Sequence, residues 1–194
     1  MDDLSDERLL LAYRGGDSAA FKTLFGRYRR PLFNFLSRRV RDRGRAEELY
    51  QDVWTKVIER SEEFRGDSKF STWLYAIARN RCIDHARRMK FRAHTSLDAP
   101  RRGSDQPLVA GVSNPGPSTE QLAAGRTLKE RIVQAVEQLP EDQQEVFLLR
   151  QLQGLGFREI AEVVDAPVNT VKSRMRYALE RLQHQLGDLQ EHVQ

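Results

Sequence analysis

The chain has 194 residues, of which 31% are charged and 39% hydrophobic, with a formal net charge of +4. This composition excludes an intrinsically disordered chain, and no apolar run approaches the roughly 20 residues that a membrane-spanning helix needs. The acidic start, MDDLSDERLL, lacks the pattern of a secretory signal, so we expect a cytoplasmic protein. Its one cysteine, Cys82, excludes an intrachain disulfide.

The first ninety residues predict helices throughout. In DDLSDERLLLAYRGGD, Ser5 is a candidate N-cap, and Gly15 and Gly16 form a stop signal. A second helix follows, in which Pro31 either introduces a kink or begins a new turn. RAEELYQDVWTKVIERSEEF then predicts an amphipathic helix. Its acidic outer face, which is either solvated or meets a basic protein partner, comprises Glu47, Glu48, Gln51, Asp52 and Glu59.

The segment FRGDSKFSTWLYAIARNRCIDHARR combines aromatic and basic residues. Residues 66–95 carry seven Lys and Arg against two acids, a net charge of +5. Helical spacing puts Trp73, Asn80 and Arg87 on one side. Aromatic rings that stack on bases, with cations along the backbone, are typical of single-strand binding, and the turn Gly66–Lys69 offers backbone donors to an unstacked base. The alternative is that Trp73 packs on a neighbouring helix and the arginines only provide solubility.

A linker is predicted between about residues 93 and 125, because four prolines occur there and the apolar residues have no period. It divides the chain into a first domain (1–92) and a second domain (126–188), with a tail at 189–194.

The second domain also reads as helical. Leu128, Ile132, Ala135 and Leu139 form one apolar stripe, and a helix closed by Gly154 follows. FREIAEVVDAPVNTVKSRMRYALERL then predicts two short helices joined around Pro167, a helix–turn–helix. An ordinary helical hairpin with a solvated basic face is the alternative. The outward residues suited to phosphates and base edges are Asn169, Thr170, Lys172, Ser173, Arg174 and Arg176.

Catalytic and metal-binding patterns are missing from the sequence. The four histidines are scattered, and Cys82 with His85 supplies only two ligands, which do not make a metal site. The sequence has no glycine-rich phosphate loop and no nucleophile–base pair. We therefore predict an all-α protein of two small domains that is not an enzyme and needs no cofactor or metal.

Four successive segments resemble signatures of the bacterial extracytoplasmic-function sigma factors, the smallest promoter-specificity subunits of RNA polymerase. They are LLLAYRGGDSAAFKTLFGRYRRPLFNF, AEELYQDVWTKV, FRGDSKFSTWLYAIARNRCIDHARR and LPEDQQEVFLLRQLQGLGFREIAEVVDAPVNTVKSRMRYALERL. The resemblance implies a sigma-two domain, a linker that threads toward the polymerase cleft, and a sigma-four domain. It also implies core polymerase and promoter DNA as partners, and control by an anti-sigma factor, often a membrane-bound one.

The resemblance further implies three sets of site residues. The residues implied to dock on the clamp of the largest polymerase subunit are Glu48, Gln51, Asp52 and Trp54. The residues implied to capture the melted minus-ten element are Arg65, Gly66, Asp67, Ser68, Lys69, Phe70, Trp73, Arg79, Asn80, Arg87 and Arg88. The outward residues of the helix–turn–helix read the duplex minus-thirty-five element, and this domain also touches the flap of the second-largest subunit.

Four positions depart from the usual pattern of the family: Tyr50, Trp54, Gly156 and Asn169. Gly156 stands where serine or threonine often caps a helix, so we expect a looser helix start. Two rival hypotheses remain: a dimeric helix–turn–helix regulator of duplex DNA, and an adaptor whose basic helix binds an acidic protein.

Overall fold

The computed structural model describes residues 4–40, 42–95, 128 and 130–187, and these ranges contain helices and turns but no strand. In the first domain the helices are α1 (Asp6–Arg14), α2 (Ser18–Val40), α3 (Arg43–Glu59) and α4 (Phe70–Thr95), with a short 3-10 turn at Ser61–Glu63. In the second domain they are α5 (130–137), α6 (Glu141–Gln151), α7 (Phe157–Val164) and α8 (Val168–Leu186). The all-α prediction is confirmed.

The predicted ends of α1 are confirmed. The Ser5 hydroxyl accepts a hydrogen bond from the Arg8 backbone N–H at 3.4 Å, as an N-cap does. Gly15 caps the other end, and Gly16 adopts a φ of 98°, a left-handed conformation that glycine reaches without strain. The chain can therefore turn sharply into α2.

Pro31 lies inside α2, which runs without a break from Ser18 to Val40. A proline in a helix removes one backbone donor, yet tertiary packing holds the helix together here. Leu24, Leu32 and Phe35 are fully buried on both sides of the proline. The sequence allowed either a kink or the start of a new turn at Pro31. In the structure, α2 is one continuous helix through this residue.

Helices α2, α3 and α4 surround the core of the first domain, and α1 packs along α2. Each buries a stripe at helical spacing, which is how an amphipathic helix stabilises a fold. The fully buried residues include Leu9, Leu10, Leu36, Val53, Val57, Leu74 and Tyr75.

The N-terminus of α4 is capped from a distance by Glu7 in α1. Its carboxylate accepts a hydrogen bond from the Phe70 backbone N–H at 2.9 Å. Burial works to raise the pKa of Glu7, but the Phe70 hydrogen bond and further contacts outweigh it, so the pKa lies below its ordinary value. This cap ties the loop before α4 to the first helix.

Replacing Glu7 with alanine is expected to lower the free energy of unfolding by about 0.5–2 kcal/mol, the usual cost of losing an N-cap. Because the folded pKa lies below the unfolded value of 4.5, this contribution is present above pH 4.5 and fades as the pH falls through the folded pKa. Urea unfolding at pH 7 and pH 3 measures both effects. Glu48→Ala, on the exposed face of α3, is the control, and an equal loss in both variants would contradict the cap.

In the second domain the predicted apolar stripe of α8 is confirmed, since Val171, Met175, Ala178 and Leu182 are all buried. The other apolar stripe, predicted at the start of the second domain, is only half correct. Ala135 and Leu139 are buried, whereas Leu128 is 45% and Ile132 is 41% exposed. The core of this domain forms where α6, α7 and α8 meet.

The two domains contact each other, with α4 packed against α7 and α2 against α6. Helix α4 continues to Thr95, so the linker predicted from residue 93 begins within its last turn. The rest of that linker, residues 96–125, and the tail 189–194 lie outside the described residues.

Candidate nucleic-acid interface

The loop at residues 65–69 is exposed but firmly anchored at both ends. Arg65, Gly66 and Asp67 are exposed, while the flanking Phe64 and Phe70 are 3% and 0% exposed. Gly66 has a φ of 79°, which strains any other L-residue. The loop therefore presents backbone and polar groups to solvent from a rigid base.

Two aromatic residues of the predicted minus-ten set form part of this base. Phe70 is fully buried, so its ring is inaccessible to DNA in this structure, and its predicted contact is corrected to a supporting role. Trp73 is half-buried and packs on Phe64 and Phe70, with ring centroids 5.2 Å and 6.0 Å away. These two rings lie in the preceding loop and in α4 itself, and part of the Trp73 ring is exposed, so its contact with a single strand stays a prediction.

Three other predicted residues come together in a groove between α3 and α4. Arg79, Asn80 and Arg87 line it, and its volume is about 440 Å³. Lys56 and Arg60, from the end of α3, line the same groove, as does Arg81. No local sequence pattern indicates these cations, because only packing brings the end of α3 beside the middle of α4. Ser68 is half-buried and Arg88 is exposed.

Lys69 is held by an ion pair with the second domain. Its Nζ lies 2.7 Å from Oε1 of Glu159 in α7. The hydrogen bond to Glu159 raises the pKa of Lys69. The same bond, with one from the Gly156 backbone N–H, lowers the pKa of Glu159. The pair thus stays ionised across the neutral range.

The helix–turn–helix forms as predicted from α7 and α8. Asp165 adopts a left-handed conformation with a φ of 50°, and the Ala166 N–H donates to the Ala161 carbonyl at 3.1 Å. At the start of α7 the backbone N–H of Gly156 has a partner, since it donates a hydrogen bond to the Glu159 carboxylate at 2.6 Å. This is the carboxylate half of a capping box; the other half, a hydroxyl that accepts from the Glu159 backbone N–H, is missing because Gly156 has no side chain.

The outward face of α8 carries all six predicted residues. Asn169, Lys172, Ser173 and Arg176 are exposed, and Thr170 and Arg174 are partly exposed. Arg174 pairs with Asp142 of α6 at 2.6 Å, and Arg176 lies 3.6 Å from Glu180. The first two turns of the helix therefore offer amide, hydroxyl and ammonium groups.

The predicted docking residues of α3 divide into two groups. Glu48, Gln51 and Asp52 are exposed, whereas Trp54 is 6% exposed and packs between rings of the core. The predicted direct contact of Trp54 with a partner is therefore corrected. The buried ring supports α3 from its core side.

The described residues do not group three or more potential metal ligands. Cys82 is buried, and burial raises the pKa of its thiol to about 12, although nearby Arg39 works against this. No helix in the described ranges has the length and hydropathy that crossing a bilayer requires.

A helical bundle with a basic groove, followed by a helix–turn–helix, defines a two-domain protein of the DNA-binding class. The family model of Sigma-70 region 2 matches residues 24–92, and that of Sigma-70 region 4 matches residues 129–182. The chain is 33% identical to the ECF RNA polymerase sigma-E factor of Escherichia coli (strain K12), over 97% of both chains. It is 32% identical to the RNA polymerase sigma-H factor of Pseudomonas aeruginosa, over 95% of both. The chain belongs to the extracytoplasmic-function sigma factors.

Solved structures share the fold. The sigma factor RpoE from Bartonella quintana, in complex with the anti-sigma factor NepR, has a TM-score of 0.68 and 23% identity, covering 86% of this chain and 96% of that one. CnrH, in complex with the cytosolic domain of CnrY, has a TM-score of 0.67 and 21% identity, covering 94% and 97%. The relatives are transcription initiation factors rather than enzymes. As a sigma factor, this protein acts with core RNA polymerase and directs it to promoter DNA.

Proposed function

We propose that the loop at 65–69 and the groove between α3 and α4 capture the minus-ten element as a single strand. The observation that carries this proposal is the groove itself, where Arg79, Asn80 and Arg87 meet Lys56 and Arg60. Guanidinium and ammonium groups neutralise phosphates, and the exposed Asn80 amide can bond a base edge. Paired bases do not present their Watson–Crick edges, so such a surface favours the open strand.

The loop has a separate task in this proposal. Its residues Gly66 and Asp67 are exposed at the surface beside the helical bundle. The packed rings of Phe64, Phe70 and Trp73 fix the position of the loop. A base that leaves the stack needs a preformed receptor, because unstacking alone costs a few kcal/mol. A rigid loop reduces the entropy that would be lost when the base binds.

The first turns of α8 are proposed to read the duplex minus-thirty-five element in the major groove. Recognition helices contact base edges mainly through their N-terminal residues, which favours Asn169, Thr170 and Ser173. Lys172 is exposed on the same turns and suits a phosphate. Arg174 and Arg176 already have carboxylate partners, so DNA must compete for them.

Replacing Lys172 with alanine is expected to weaken binding of the minus-thirty-five duplex to holoenzyme and to reduce the slope of log K against log salt by about 1, the value of one lost phosphate contact. Arg174→Ala should have the smaller effect, because Asp142 competes for that guanidinium. Salt titrations with a labelled duplex measure both slopes. Lys22→Ala, an exposed cation of α2, is the matched control. An unchanged slope in the Lys172 variant would remove this residue from the interface.

The exposed acidic face of α3 is proposed to dock on the clamp of the largest polymerase subunit through Glu48, Gln51 and Asp52. The second domain would meet the flap of the other large subunit. An anti-sigma factor is a further proposed partner, since the similar sigma factor RpoE of Bartonella quintana was co-crystallised with one. The proposed location is the cytoplasm, where polymerase works, with sequestration at the inner membrane if that factor is anchored there. We propose no catalytic activity and no cofactor.

In-vitro transcription with sigma-free core polymerase on a random promoter library tests the proposal. The expected result is start-site selection that depends on adding this chain, together with a stable stoichiometric complex in gel filtration. A dimeric helix–turn–helix regulator would instead bind palindromic DNA without polymerase, and an adaptor would do neither. Failure to select start sites with active core enzyme would refute the sigma function.

A further inference from the structure

Three of the predicted DNA-contact residues on α8 are cations, and they differ in how they are paired. Lys172 is exposed. Arg176 lies 3.6 Å from Glu180 in the same helix, and both side chains are more than half exposed, so water screens this pair. Arg174 Nη2, by contrast, lies 2.6 Å from Oδ2 of Asp142 in α6. Helix spacing alone produces the first pair, whereas the packing of α6 on α8 produces the second.

Asp142 is held at this place by its own helix. It lies in the first turn of α6, where the positive end of the helix dipole stabilises a carboxylate. Its side chain is 63% exposed, while that of Arg174 is 27% exposed, so the pair lies at the surface with the guanidinium partly covered. The recognition face of α8 therefore has a fixed negative charge beside one of its cations.

A guanidinium that is held on one side keeps a defined plane. The bond to Asp142 uses Nη2, and Nε and Nη1 carry three of the five N–H donors of the group. Because the guanidinium is planar and rigid, fixing one edge also fixes the direction of the other donors. Arg174 follows Ser173 and lies one helical turn beyond Thr170, two of the proposed base contacts. A donor that is already oriented loses less side-chain entropy on binding than a mobile one.

The same pair changes what Arg174 contributes through its charge. Affinity for arbitrary DNA comes from cations that neutralise phosphates and release counterions. With a carboxylate 2.6 Å from the guanidinium, the pair has no net charge, so a phosphate attracts it only weakly. A base edge is recognised by the direction of its hydrogen bonds instead. The pair thus favours a base contact over a backbone contact.

We propose that Asp142 is a positioning residue for promoter recognition. It holds the Arg174 guanidinium for one base edge of the minus-thirty-five element, and it withholds that charge from the DNA backbone. The chemistry fits a guanine, whose O6 and N7 acceptors take two donors of an arginine. This inference rests on the proposed minus-thirty-five function of α8, and it assigns Arg174 to a base and the exposed Lys172 to a phosphate.

The test uses holoenzymes reconstituted from core polymerase and the full chain, with Asp142→Asn, Asp142→Glu, Arg174→Ala and the double variant Asp142→Asn/Arg174→Ala. Glu130→Gln removes one exposed carboxylate of α5 and is the control for net charge. Salt titrations measure affinity for a labelled duplex with the minus-thirty-five sequence that the wild type selects, and for a scrambled duplex. Selection from random duplexes reports the base preference at each position, and thermal unfolding of each chain without polymerase reports its stability.

Asp142→Asn is expected to bind the scrambled duplex about two- to fivefold more tightly, the strength of a partly exposed ion pair. Its slope of log K against log salt should steepen by about 1, because the released guanidinium neutralises one more phosphate. Preference for the selected sequence should fall by about fivefold or more, at the same base pair that Arg174→Ala relaxes. Asp142→Glu should restore most of the preference, and Glu130→Gln should match the wild type.

A purely structural role of Asp142 gives another result. If Asp142→Asn lowers the midpoint of thermal unfolding but keeps the wild-type slope and base preference, the carboxylate only stabilises α6, and the inference is overturned. It is equally overturned if the double variant keeps the tighter binding to the scrambled duplex, because the gain then does not act through Arg174. Loss of the gain in the double variant supports the inference.

Failure of the proposed function gives a different pattern. If the wild-type holoenzyme binds the selected and scrambled duplexes equally, α8 does not read the element, and the positioning role is refuted with that function. If the wild type discriminates, and Asp142→Asn discriminates equally well with an unchanged slope, reading by α8 stands and only the role of Asp142 is refuted.

Discussion

Asn80→Ala is expected to reduce promoter opening by roughly 2- to 12-fold while leaving polymerase binding unchanged. The side chain is exposed in the α3–α4 groove beside Arg79 and Arg87. A hydrogen bond between neutral groups, such as an amide and a base edge, contributes about 0.5–1.5 kcal/mol, and 1.4 kcal/mol is a factor of ten. An amide that meets a base edge only after melting stabilises the open strand alone. The whole loss should therefore fall on the opening step.

Permanganate reactivity of promoter thymines measures opening, and gel filtration with core polymerase measures binding. Lys69→Ala should act in the same direction, but it also breaks the pair with Glu159. Asn80 takes part in none of the ion pairs between the domains, so its variant is the cleaner test. Lys22→Ala in α2 is the control for loss of an exposed polar side chain from the same domain. Wild-type thymine reactivity in the Asn80 variant would count against single-strand capture in this groove.

Reversing two charges on α3, with Glu48→Lys and Asp52→Lys together, is expected to weaken holoenzyme formation by at least about 100-fold. Like charges brought together across an interface cost several kcal/mol, and about 2.7 kcal/mol corresponds to a factor of 100. Both side chains are exposed, so the change should alter stability by no more than about 0.5 kcal/mol each. Transcription from every promoter should fall in parallel, because the defect precedes DNA binding.

Competition for core polymerase against the unmodified protein quantifies this effect. Glu130→Lys with Glu162→Lys makes the same change in net charge on exposed positions of the second domain, and it should compete almost normally. If the α3 variant still forms holoenzyme at wild-type affinity, the acidic face is a solvated surface and the clamp contact lies elsewhere.

Local sequence was enough for the helices and for the helix–turn–helix. The Ser5 cap, the Gly15 stop and the α8 stripe of Val171, Met175 and Ala178 depend on neighbours three or four residues away. Such signals are complete within one turn of helix. The capping carboxylate of Glu159 is a local signal too, since a glutamate three residues after the N-cap position is the carboxylate half of a capping box.

Periodicity could not separate aromatic residues that contact ligands from those that support them. Helical spacing predicts Trp73 on a DNA-facing stripe, and the family resemblance implies Trp54 on a docking face, yet each packs against other rings. A helix of 26 residues such as α4 has neighbours on several sides. Which side is covered depends on elements far away in the chain, which one helical wheel does not contain.

The amino-acid order thus determined the helical fold of the two domains, because helices follow from spacing and composition along one segment. The folded chain decided which charges meet. Glu145 lies more than sixty residues from both Arg39 and Arg79 in the chain, but its carboxylate pairs with both guanidiniums. Lys56 and Arg60 likewise join the α4 groove only through packing. Such pairings depend on the relative position of whole helices, and no local pattern encodes that position.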